Sequence, residues 1–82
     1  MPTAYVFMNC NSGVEKRIIQ EIADLPEVTE VRGVYGIYDI FVKVESKTNE
    51  LLNDIIRFKI RMKPDVNSIM ALFVISGDHE EE

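Results

Sequence analysis

Residues 28–44 read VTEVRGVYGIYDIFVKV, and the reading of this run decides the fold. Two stretches rich in β-branched and aromatic residues, 28–35 and 38–44, flank Gly36-Ile37. Such side chains suit a pleated strand, and a glycine free to take positive φ suits a short connection between antiparallel partners. The run is therefore expected to form a β-hairpin. Tyr38, Ile40, Val42 and Val44 alternate onto one face, while Asp39, Phe41, Lys43 and Glu45 fall on the other, which grows more polar away from the turn.

Outward toward the N-terminus, Thr3 to Cys10 is apolar on both alternating faces, with Ala4, Val6 and Met8 on one side and Tyr5 and Phe7 on the other. This predicts a strand covered on two sides. Asn11-Ser12-Gly13 ends it, and Ser12 with Glu15 has the spacing of a capping box. Val14, Ile18, Ile22 and Leu25 then form one apolar stripe on a first helix, which Pro26 terminates. Outward toward the C-terminus, Ser46 or Thr48 caps a second helix. Leu51, Leu52, Ile55, Ile56, Phe58 and Met62 are its expected buried stripe. Pro64-Asp65 breaks that helix, and Val66 to Ile75 is a last strand with Val66, Met70, Leu72 and Val74 opposing Ile69, Ala71, Phe73 and Ile75.

The order is βαββαβ. Right-handed crossovers are expected to place the first and last strands centrally in a four-stranded antiparallel sheet with both helices on one face, the ferredoxin-like α+β arrangement. One sheet face is then bare, and two strands carry apolar residues on both faces. A second copy of the chain is expected to cover that face, giving a dimeric α/β sandwich or barrel. At 82 residues the chain makes one domain with a small core, which dimerisation would enlarge.

Composition narrows the function. Apolar residues are 46% and charged residues 28% of the chain, which fits a globular domain. The formal net charge is −5, of which Asp78, Glu80, Glu81 and Glu82 supply four, so the body, residues 1–76, is nearly neutral and residues 77–82 form an acidic, disordered tail. A neutral body argues against direct nucleic-acid binding by neutralisation of many phosphates. Arg57, Lys59, Arg61 and Lys63 do not form one helical stripe and instead offset the negative end of the helix dipole. No apolar run reaches membrane-spanning length, and no signal-peptide pattern is present, so a cytoplasmic location without membrane contact is expected. Cys10 is the single cysteine and His79, in the tail, the single histidine. Neither a disulfide, a metal-ligand set, a phosphate-cradling glycine loop nor a carboxylate–histidine pair can be assembled on the core, so no cofactor and no enzyme activity is expected.

The turn itself carries the candidate site. Gly36 can expose backbone N–H groups to an anion, and Asp39 can supply a negative charge a few residues away, a pairing suited to a small zwitterion. Each also has an ordinary reading: Gly36 serves turn geometry, Asp39 bonds local N–H groups, Tyr35 and Tyr38 pack in strands, and Cys10 is a small buried residue.

Leu25-Pro26-Glu27-Val28, Gly36-Ile37-Tyr38-Asp39 and Lys63-Pro64-Asp65-Val66 occur in an order and spacing that resemble the effector-binding (RAM) domain of the leucine-responsive and asparagine-synthetase-activator (Lrp/AsnC) transcriptional regulators. The similarity covers about residues 3–76, and the chain begins at the first strand, without the helix-turn-helix of those regulators. It is thus similar to a stand-alone sensory module. The resemblance implies a homodimer formed through the sheets, assembly into a ring such as an octamer, and an amino-acid effector bound between dimers near Tyr35, Gly36, Ile37, Tyr38 and Asp39. It adds Ser68 on the last strand as a hydroxyl contact, and a full-length Lrp/AsnC regulator as a possible partner. It also implies a departure, because a Thr-x-Thr hydroxyl pair common in the family is replaced here by Ile69 and Ala71. The alternatives are a ligand-free assembly protein and an amino-acid-binding domain of the ACT type, which shares the βαββαβ order.

Overall fold

A computed structural model describes residues 1–75; the acidic tail expected at residues 77–82 lies outside the described residues. The strands are β1 (Thr3–Cys10), β2 (Val28–Gly33), β3 (Ile40–Glu45) and β4 (Val66–Phe73). They pair antiparallel in the order β2-β3-β1-β4, a ferredoxin-like α+β fold. The expected pairing of the first and last strands at the centre is corrected by one position: β1 and β3 are central and β4 is an edge. The crossover from β1 to β2 leaves a strand's width that β3 fills, and the crossover from β3 to β4 passes over β1.

Helix α1 (Glu15–Ala23) buries Ile18 and Ile22 against the inner sheet face, with Val14 and Leu25 packed at its ends. Each such side chain contributes about 1.5–3 kcal/mol of burial. Its start differs from the capping-box expectation. The N-cap is Val14, whose side chain caps nothing, and the Glu15 carboxylate instead reaches back to accept the Gly13 N–H at 3.1 Å. Helix α2 (Asn49–Asp54) begins as expected, the Thr48 hydroxyl accepting the Leu51 N–H at 3.1 Å, and continues as a π-helical segment, Ile55–Ile60. The segment is marked by Arg61 N–H donating to Ile56 O at 2.8 Å.

That widened turn changes which residues are buried. Leu52, Ile55, Ile56 and Ile60 face the core, whereas Leu51, Phe58 and Met62 are 48%, 59% and 66% exposed. A π turn takes more residues than an α turn, so the residue below Ile55 is Ile60 rather than Phe58. The core is completed by Ala4, Val6, Met8 and Cys10 of β1 and Ile40, Val42 and Val44 of β3.

In β4 a bulge alters the expected alternation. Ser68 pairs with Asn9 but Val66 pairs with Cys10, so Asn67 is the extra residue and Val66 joins Ile69 and Ala71 against the core. Asp65, just before β4, accepts from Asn11 Nδ2 at 3.0 Å and pairs with Arg17, while Glu21 pairs with Arg17 at 3.0 Å and with Lys63 at 3.2 Å. This network fastens α1 to the end of the second helical stretch. The Arg17 guanidinium and then the Asn11 amide hold the Asp65 carboxyl below the usual aspartate range.

Candidate functional site

The connection between β2 and β3 is longer than a two-residue hairpin loop, since residues 34–39 all lie outside the strands. Its base is closed by Val34 N–H donating to Asp39 O at 2.8 Å. The Asp39 N–H is itself shared between Met8 O at 3.0 Å and Asn9 Oδ1 at 2.9 Å, which clamps the loop's exit to the end of β1. Gly36 lies at φ +130, a conformation that excludes most side chains, and nothing crowds its Cα. The N–H groups of residues 35–38 donate to no backbone carbonyl among the described residues. They are available to an anion.

An open depression of about 420 Å³ lies beside this loop, lined by Glu15, Gly33, Val34, Tyr35 and Asp39. The Asp39 carboxylate makes no hydrogen bond or ion pair among the described residues, so it does not hold the turn together. Tyr35 is fully exposed at the rim, and Ile37 projects from the tip. The loop's start lies beside α1, where a Cβ added at Gly33 would make an ordinary 3.6 Å contact with Ile19 Cδ1. The depression is lined by two carboxylates, Glu15 and Asp39, and the loop beside it carries N–H groups without backbone acceptors among the described residues.

Of the six residues singled out in the sequence, Tyr35 and Asp39 line this depression, and Gly36 and Ile37 form the adjoining tip. Tyr38 is elsewhere. The loop breaks the alternation expected from β3, and its ring sits 6.0 Å from that of Phe7 on the outer sheet face. Ser68 lines a different depression, of about 500 Å³, with Arg61, Val66, Asn67 and Ile69. The two regions are nevertheless joined, because Asn9 donates from Nδ2 to Ser68 Oγ at 3.1 Å while its Oδ1 accepts from Asp39. Asn9 and Glu15 are the residues that sequence reasoning missed. Asn9 carried a signal, being a polar residue that follows Tyr5 and Phe7 on the outer face of β1.

Ile69 and Ala71 pack toward the core beneath the helices. These two positions therefore belong to the inner face of β4, and the polar groups of Ser68 and Asn9 meet on the other side.

The Lrp/AsnC ligand-binding domain model matches residues 3–79. The chain belongs to the Lrp/AsnC ligand-binding domain family. Among solved structures it is similar to the protein FFRP-DM1, at 36% identity and TM-score 0.88, covering 92% of this chain and 100% of that one. A hypothetical protein from Pyrococcus horikoshii is 34% identical with TM-score 0.88, covering 100% of this chain and 99% of that one. A transcriptional regulator from Neisseria meningitidis, solved as a complex with L-Met, shares the fold at 13% identity and TM-score 0.79, with 94% of this chain matched to 51% of the regulator. No curated protein matches this Lrp/AsnC-family chain in sequence. No helix among the described residues is long and apolar enough to cross a membrane, and none of their acidic, histidine and cysteine side chains cluster as a metal site.

Proposed function

We propose that the chain is a sensing and assembly module of transcription regulation, which binds an amino acid or a similar small zwitterion at the 34–39 loop. The observation that carries this reading is the Asp39 carboxylate, unpaired among the described residues, beside a depression and a run of free N–H groups. Asp39 receives the ammonium, the N–H groups of residues 35–38 receive the carboxylate, and Tyr35 walls the side chain. The L-Met complex of the Neisseria regulator supports an amino acid as the effector class.

The working form is a homodimer joined through the outer sheet face, in a ring whose neighbouring dimers close the open depression. A ligand that prefers one assembly shifts the population toward it. End-to-end likeness to two small proteins supports a role in which DNA contact is left to a full-length Lrp/AsnC relative that shares the dimer surface. The reading is of a cytoplasmic non-enzyme that needs no cofactor. It is tested by thermal unfolding of the chain with each of the twenty amino acids. At least one is expected to raise the melting temperature, since a ligand at 100 times its Kd stabilises the native state by about 2.7 kcal/mol. No shift with any of them overturns amino-acid sensing.

A further inference from the structure

A second cleft, of about 260 Å³, opens where the entry to β2 meets the helical stretch α2 and its π-helical continuation. Its polar lining is Glu27, Ser46, Asp54 and Lys59, and its apolar lining is Leu51, Ile55 and Phe58. Glu27 Oε1 is shut away from solvent and accepts no hydrogen bond among the described residues, while Oε2 lies 3.9 Å from Lys59 Nζ. Native proteins leave few buried acceptors without a donor, and a carboxylate oxygen is among the most costly. Ser46 is 5% exposed, and its backbone N–H donates to Pro2 O at 3.0 Å, yet its hydroxyl has no partner among the described residues.

We infer that this cleft is a binding site, separate from the 34–39 loop, for a small organic monocation that carries a primary ammonium on a short apolar arm. Two carboxylates against one lysine leave the lining one negative charge in excess, which a monocation complements. An ammonium has three donors, and the Ser46 hydroxyl, the Asp54 carboxylate and Glu27 Oε2, whose contact with Lys59 at 3.9 Å is too long for a hydrogen bond, are three acceptors. Leu51 and Phe58 give the arm an apolar wall. Phe58 is available because the π-helical turn carries it off the core and to the cleft's edge, a use of π turns that recurs at functional sites. An anion is repelled by the lining, and a bare ammonium ion leaves the apolar wall in water.

The test is an NMR titration of isotope-labelled chain with isopentylammonium chloride, with isopentanol and ammonium chloride as comparisons. Saturable shifts are expected at Ser46, Leu51, Asp54 and Phe58, with binding roughly tenfold or more weaker for isopentanol and for the amine with Glu27→Gln. Phe58→Ala, which alters an exposed side chain and leaves the core intact, is expected to weaken the amine and leave ammonium chloride unchanged. Absence of saturable shifts at these residues overturns the inference, as do shifts confined to residues 34–39. Equal binding of amine and alcohol, or undiminished amine binding in Glu27→Gln, does the same.

Discussion

Asp39 is held by its backbone and leaves its side chain free, a division of labour that Asn9 makes possible. The Asn9 amide takes the Asp39 N–H with one end and gives a hydrogen bond to Ser68 with the other, so one side chain ties the loop to both β1 and β4. Asn9→Ala is expected to cost about 1 kcal/mol for each hydrogen bond lost, read as a lower midpoint in urea unfolding. The Asp39 N–H still has Met8 O in that variant, so the larger loss falls on the link to Ser68. At this scale the sequence was half legible. Gly36 and Asp39 stand out because turn chemistry is local, whereas the partner of Asn9 lies 59 residues away and no local pattern announces it. Glu15 was legible only as a helix-start residue. Its place beside the loop depends on how α1 lies against the end of β2.

At the scale of elements, β1 and α1 and the alternation of β3 could be read directly, because apolar periods of two and of about 3.6 record which side faces a core. The second helical stretch was misread for the same reason: a constant α period assigns Phe58 and Met62 to the core, and the π-helical segment gives that place to Ile60. Ile60→Ala is therefore expected to destabilise the chain by about 2–5 kcal/mol, the range for emptying a fully buried aliphatic site. Met62→Ala should stay within about 0.5 kcal/mol, as for an exposed position. Chemical unfolding of the two variants checks this pair, and equal costs would restore the regular helix. The bulge at Asn67 is a similar case, since its one extra residue moves Val66 to the opposite face from the one simple alternation assigns.

For the whole molecule, the outer sheet face is the main unfinished surface. Tyr5 and Phe41 stack at 5.9 Å, Phe7 and Phe41 meet at 5.3 Å, and on the neighbouring edge strand Met70 and Leu72 extend the apolar patch. A patch of this kind in a small domain fits a second copy of the chain. Sedimentation of the wild-type chain is expected to show a dimer or a multiple of it. Leu72→Glu, at a side chain 50% exposed in the single chain, is expected to shift the population to monomer without unfolding it. A monomeric wild type would remove the dimer from the account. Topology and bare face were legible in the order and patterning of the strands, while the seating of β4 at the edge required the crossovers to be resolved in space.

The central claim is that Asp39 receives the ammonium of a zwitterionic effector. It is tested most directly by calorimetric titration of the most stabilising amino acid into the wild-type chain and into Asp39→Asn, which keeps the side chain's shape and removes its charge. Loss of a charge-assisted hydrogen bond predicts binding roughly tenfold to a hundredfold weaker in the variant, with unfolding unchanged. An effector that binds both proteins with the same affinity would contradict the account.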